Sequence, residues 1–184
     1  MSAIRHNVLV GGGVRSGKSA FALQRARELG RTRLFVATAQ CLDDEMQRRA
    51  NRHREERGAE FETVEEPRDL LGVLASRDDV EVVVVDCLTL WLSNLLLAGQ
   101  SEEAIERQVG ALCTWLSGTA RSVVLVTNEV GLGVVPEHAL ARSFRDVSGR
   151  AHQSLGRVCS EVYFGALGQL IRLKPGPVEV VPRP

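Results

Sequence analysis

The stretch VLVGGGVRSGKSAF, Val8 to Phe21, runs from aliphatic residues into three glycines and then into SGKS. Within it Gly12-Gly13-Val14-Arg15-Ser16-Gly17-Lys18-Ser19 fits G-x-x-x-x-G-K-[ST]. The surroundings give the motif its weight, because a run that reads as a strand precedes it and a helical pattern follows it. Glycines here let backbone N–H groups turn inward around phosphate oxygens, and the helix N-terminus adds partial positive charge. Lys18 then reaches the outer phosphates, and Ser19 is a magnesium ligand. The bland alternative is a glycine turn that only joins strand to helix. Lys18 is one of only two lysines beside 21 arginines, so a drift toward arginine has spared it. The loop is expected to hold a nucleoside triphosphate.

Outward from this loop the chain alternates short β-branched runs with amphipathic stretches. NVLV, RLFVAT, FETVE, EVVVVD, SVVLVTN and EVYF read as strands, which predicts an α/β fold with a mostly parallel sheet flanked by helices. EVVVVD and SVVLVTN are apolar on consecutive residues, as strands covered on both faces are, and belong mid-sheet. Helices are expected at Ser19–Leu29 with Gly30 as the stop, Asp43–Arg57, Pro67–Ser76, Leu88–Leu97, Ser101–Ser117 and Pro136 to about Val158, with Pro67 and Pro136 in first turns. Four of the six prolines fall in residues 175–184, giving an extended tail without a core of its own. The 184 residues are read as a single nucleotide-binding domain, residues 1–184, including that tail.

Composition narrows the function. Basic and acidic residues number 23 each, so no global field recruits nucleic acid or an anionic membrane, and the eight aromatic residues form no basic-aromatic stripe. A small-molecule partner is expected, with no nucleic acid and no membrane span. Cys41, Cys87, Cys113 and Cys159 have no C-x-x-C pairing and read as thiols of a reducing, cytoplasmic compartment.

Two further sites carry chemistry. Asp86 closes EVVVVD, where a carboxylate beside a phosphate loop holds magnesium, and where an aspartate also serves as a helix N-cap before CLTLWL. In DDEMQRRANRHREERGAE the bland reading is a solvated helix laced with i,i+4 ion pairs. Helical spacing nevertheless sets Arg49, His53 and Arg57 on one face. Two guanidiniums disfavour imidazolium and pull the pKa below about 6.5, leaving His53 neutral and nucleophilic. His6 reads as a surface residue, and His138 and His152 as parts of the last helix.

GGVRSGKS, ATAQCLDDEM, RHREER, TVEE, VDCLTLWLSNLL and above all TNEVGLGVVPEHALARSFRDVSGRAHQSL together resemble the bifunctional adenosylcobinamide kinase / adenosylcobinamide-phosphate guanylyltransferase family of cobalamin biosynthesis, from about Val8 to Lys174. The resemblance implies a RecA-like P-loop NTPase fold and two reactions at one site. One is γ-phosphoryl transfer to adenosylcobinamide. The other is GMP transfer from GTP, through a covalent guanylyl-histidine, to adenosylcobinamide phosphate, giving adenosylcobinamide-GDP. It also implies GTP and Mg²⁺, with ATP an alternative phosphoryl donor, and a homo-oligomer, a trimer. Residue by residue, His53 matches the guanylylated histidine, Gly12 to Ser19 the phosphate loop, and Thr38, Ala39 and Gln40 the segment beside the nucleotide. Arg54, Glu55, Glu56, Arg57, Glu65 and Asp86 match further GTP-contacting positions, with Ser19 and Asp86 as metal ligands. His152 departs from the family pattern, where asparagine is expected. Two other readings are a small-metabolite P-loop kinase that needs no covalent intermediate and a RecA-like ATPase switch module.

Overall fold

The computed structural model describes residues 5–40, 48, 54 and 57–181. Eight strands form one sheet: β1 (Asn7–Gly12), β2 (Arg33–Ala37), β3 (Glu62–Glu65), β4 (Val82–Asp86), β5 (Ser122–Val126), β6 (Glu161–Ala166), β7 (Gln169–Lys174) and β8 (Glu179–Val181). Their spatial order is β3-β2-β4-β5-β1-β6-β7-β8. From β3 to β6 every pairing is parallel, and β7 and β8 add antiparallel strands at one edge. The helices named here are α1 (Lys18–Leu29), α2 (Leu70–Ser76), α3 (Leu88–Leu97), α4 (Glu102–Gly118) and α5 (Ala139–Val158). Arg48, Arg54 and Arg57 are helical, while the rest of the expected helix Asp43–Arg57 lies outside the described residues.

The unbroken valine runs work as expected of strands covered on both faces. Val83 and Val85 of β4 join Leu9, Leu34, Leu125 and the apolar sides of α2, α3, α4 and α5, including Leu74, Trp91, Leu112 and Leu155. Val82 and Val84 face the other way, onto Phe21, Ala22 and Ala26 of α1. Both β4 and β5 lie mid-sheet.

Local chemistry sets the helix ends. Pro67 and Pro136 stand three residues ahead of their helices rather than in first turns. At α2 the Glu66 carboxylate accepts from the Arg68 and Asp69 N–H groups, and Asp69 Oδ1 accepts from Gly72 N, so Asp69 is the cap. His138 is the N-cap of α5 rather than part of it. Gly30 does end α1, but with extended backbone (φ −179°) instead of a left-handed turn. A Cβ there would lie 2.7 Å from Val82 Cγ2, so close approach to the sheet requires the glycine. Among the described residues no helix is long and apolar enough to cross a membrane.

Candidate active site

Among the described residues, several of those singled out by sequence stand where the parallel strands end. Gly12 closes β1, Glu65 closes β3, Asp86 closes β4, Thr38 follows β2 and Thr127 follows β5. This is the edge at which open α/β sheets bind ligands. Between β1 and α1 the loop has positive φ at Gly12 (151°), Arg15 (55°) and Gly17 (87°). Gly17 is the N-cap of α1 and brings no side chain to cap it, which leaves first-turn N–H groups available to an anion. Gly12 also touches β6: a Cβ on it would stand 2.5 Å from Gly165 O, and one on Gly165 would stand 2.9 Å from Ser16 Oγ. That hydroxyl is buried without a hydrogen-bond partner.

Lys18, the first residue of α1, is buried, and its Nζ donates to Gly13 O at 3.0 Å. Burial lowers its pKa, and the charge of Asp86 acts in the opposite sense, which puts the two groups within electrostatic reach of each other. Cys87, not Asp86, occupies the N-cap of α3, so the capping role read from sequence is not where Asp86 sits. Burial, and then the Asp86 charge, push the Cys87 thiol up to about 11. It is no nucleophile at neutral pH.

Thr38 is fully buried, and its hydroxyl is engaged inside the chain: Oγ1 donates to Cys87 O at 2.7 Å and accepts from Cys87 N at 2.9 Å. It locks the ends of β2 and β4 together, and Asn94 Nδ2 donates to its carbonyl at 2.8 Å. Ala39 and Gln40 follow it, half-buried. Arg54 Nη2 bonds Glu65 Oε1, which brings together two of the expected GTP-contacting positions at the end of β3. Arg57 is buried, its guanidinium 3.9 Å from the centroid of the Phe35 ring. His53, Glu55, Glu56 and Arg49 lie outside the described residues. Among the described residues no group of three or more His, Cys, Asp or Glu is gathered to hold a metal ion.

A polar chain that sequence reasoning missed borders the site. His152 Nε2 lies 2.7 Å from Thr127 Oγ1, which lies 3.1 Å from Thr89 Oγ1, and that atom accepts from Asn128 N at 2.6 Å. Burial lowers the His152 pKa, against the pull of Glu129, whose Oε2 is 3.8 Å from Nδ1. Glu129 N donates to Gly12 O at 3.0 Å, tying this chain to the phosphate loop. The motif TNEVG was the available signal, but only the fold shows that α5 supplies its partner. His6 is no free surface residue either. Its Nδ1 lies 2.6 Å from Glu161 Oε1, in a cluster completed by Arg25 and Tyr163 at the opposite ends of the strands.

The family described as cobinamide kinase / cobinamide phosphate guanyltransferase, CobU, matches residues 8–173. This chain belongs to the CobU family. The bifunctional adenosylcobalamin biosynthesis protein CobP of Pseudomonas aeruginosa is 41% identical over 171 residues, covering 92% of this chain and 98% of that protein. The CobU proteins of Escherichia coli and Salmonella typhimurium are 38% and 37% identical, each over 91% of this chain and 99% of their own length. Among solved structures, the RadB recombinase superposes with a TM-score of 0.52 at 19% identity, covering 97% of this chain and 83% of that one. The Pyrococcus horikoshii protein PH0250 gives a TM-score of 0.57 at 11% identity, covering 94% and 88%. These two show a RecA-like α/β fold for this chain and nothing of its chemistry.

Proposed function

We propose that the chain holds GTP on the loop Gly12–Ser19 and exposes it to two different attacks. Its family membership makes it a transferase of cobalamin biosynthesis, acting as cobinamide kinase and cobinamide phosphate guanylyltransferase. In the kinase reaction the hydroxyl of adenosylcobinamide attacks the γ-phosphorus of GTP or ATP. The bond to the β-phosphate oxygen breaks, and the nucleoside diphosphate leaves. In the transferase reaction a His53 ring nitrogen attacks the α-phosphorus of GTP, the bond to the bridging oxygen breaks, and pyrophosphate leaves. Adenosylcobinamide phosphate then takes GMP from the histidine, freeing the imidazole and giving adenosylcobinamide-GDP.

The observation that carries this reading is the placement of Lys18 and Asp86 within each other's field at the mouth of a backbone-lined loop. Lys18 counters charge that develops on the departing phosphate in both reactions. Ser19 and Asp86 offer the hard oxygen donors that Mg²⁺ prefers, and Mg²⁺ would neutralise charge on the phosphate oxygens there. Arg54 meets Glu65 at the end of β3 and Arg57 packs on Phe35 of β2, so the residues that follow His53 in sequence lie on the β2–β3 side of the sheet. The reading includes a single domain over residues 1–184, a cytoplasmic location and a trimer.

The test is labelling. Incubation with GTP labelled at the α-phosphate is expected to leave acid-labile, alkali-stable label on the chain, and GTP labelled at the γ-phosphate none. His53→Ala is expected to lose that label and GMP transfer while keeping γ-phosphoryl transfer. Label that survives in His53→Ala, or that maps elsewhere, would falsify the covalent role and leave a kinase without an enzyme-bound intermediate.

A further inference from the structure

We propose that Leu167, at the tip of the β6–β7 hairpin, is a substrate-binding residue that receives the methyl-bearing periphery of the corrinoid acceptor. The proposal rests on the functional reading above and assigns a residue to the half of the site that the nucleotide does not occupy.

Ala166 pairs with Gln169, so Leu167 and Gly168 form a two-residue turn. Both have positive φ, 48° and 75°. Turns of this form take asparagine, aspartate or glycine, because a side chain at positive φ crowds its own backbone. Leucine gains nothing there from the turn, and it gains nothing from packing, since its side chain is fully exposed. Neither local geometry nor the core accounts for this residue, and strain of this kind collects where a ligand is gripped.

The position of the hairpin supplies the ligand. Gly165, two residues before Leu167, is in register with Gly12, accepts a hydrogen bond from Gly13 N at 3.4 Å and abuts Ser16. The hairpin tip therefore stands beside the phosphate loop. Val14, on that loop, is 85% exposed, and across β1 the loop after β5 exposes Leu132, Val134 and Val135. Phosphoryl transfer requires the acceptor hydroxyl at the γ-phosphate, while the acceptor's macrocycle is far too large to enter a loop lined by backbone. The ring must rest on the loops around the mouth, and the methyl and methylene groups of its periphery match the apolar side chains presented there. Leu167 is the member of this rim whose presence costs conformational energy, and so the one that most requires a ligand to explain it.

The experiment compares Leu167→Asn with Leu167→Met. Asparagine suits the turn and removes the apolar contact, so the thermal midpoint is expected to rise by about 2 °C. KM for adenosylcobinamide is expected to rise about tenfold, the loss that follows from exposing one leucine-sized contact. GTP affinity, measured by titration calorimetry without corrinoid, is expected to stay within twofold. Leu167→Met keeps the apolar volume and is expected to keep the wild-type KM. A Leu167→Asn chain with unchanged KM overturns the proposal, as does a fall in its midpoint, which would make Leu167 a packing residue. Dissociation of the assembly in sedimentation would assign Leu167 to a second copy of the chain and overturn it too. If the wild-type chain never phosphorylates the corrinoid, the functional reading itself fails, an outcome separate from unchanged KM in a working enzyme.

Discussion

On the proposed reading, Lys18 waits for a ligand at the expense of the ligand-free chain. Its ammonium is buried, and desolvation lowers its pKa from 10.5. Between the folded value and 10.5 the unfolded chain binds more protons, so stability rises with pH there. Below that window the lysine is charged in both states, and the cost of burying it is present in full at neutral pH. Lys18→Met is therefore expected to raise the melting temperature of the ligand-free chain by about 2 °C while lowering kcat of both reactions by about 10²–10³-fold. Calorimetry and steady-state kinetics on the same preparation check this. Turnover near wild type at saturating GTP would remove Lys18 from the mechanism, and a lower melting temperature would mean that its contact with Gly13 O outweighs its burial.

At the scale of elements, the site depends on how closely β1 and β6 approach. The φ of Gly12 and the 2.9 Å gap between a Gly165 Cβ and Ser16 Oγ leave no room for a methyl group. Gly165→Ala is expected to push Ser16 outward and weaken GTP binding about tenfold, the usual scale of forced overpacking, with a drop of a few degrees in melting temperature. Titration calorimetry is the check, and unchanged affinity would show that the loop adjusts freely. Sequence gave no hint of this contact. Gly165 sits in no motif, and register between strands more than a hundred residues apart leaves no local trace. Strongly patterned elements were legible: α3 spans Leu88–Leu97 as its apolar run predicts, and the valines of β4 and β5 mark the sheet centre. The placement of the glycine loop between β1 and α1, and of Asp86 at the end of β4, was legible for a related reason, since each is marked by its own local sequence. What depended on particular side-chain or strand partners was not. Glu66 and Asp69 rather than Pro67 set the start of α2, and β8 is a strand only because β7 offers it an edge. His152 gains its role from Thr127, and Thr38 turns its hydroxyl to Cys87 rather than outward.

For the whole molecule, the sheet divides its labour by edge. The ends that carry Gly12, Glu65 and Asp86 form the candidate site, while the opposite ends are tied by Glu161, whose carboxylate meets Arg25, His6 and Tyr163. The strand that bears the phosphate loop is the first in sequence, yet it lies between β5 and β6, the first and second elements beyond residue 120 to join the sheet. A chain ended at Val158 would keep the whole motif and every helix named above but lack one flank of β1. It is expected to show no saturable GTP binding by titration calorimetry, whereas a chain ended at Lys174, lacking only β8, is expected to bind. Binding by the shorter chain would show that β6 is dispensable to the loop. The same arrangement governs how the protein is made. At translation rates of about 5–20 residues per second, Gly12 waits on the order of ten seconds or more before Gly165 is synthesised beside it, and the exit tunnel delays their meeting further. Until β5 is made, β1 is an apolar strand without either of its neighbours, and until β6 follows it keeps one open flank, a target for chaperones and for misplaced pairing. Cellular GTP cannot guide the nascent chain through this period, because the cradle that would grip it does not yet exist. On the proposed reading a nucleotide can select only molecules in which β6 has already joined β1.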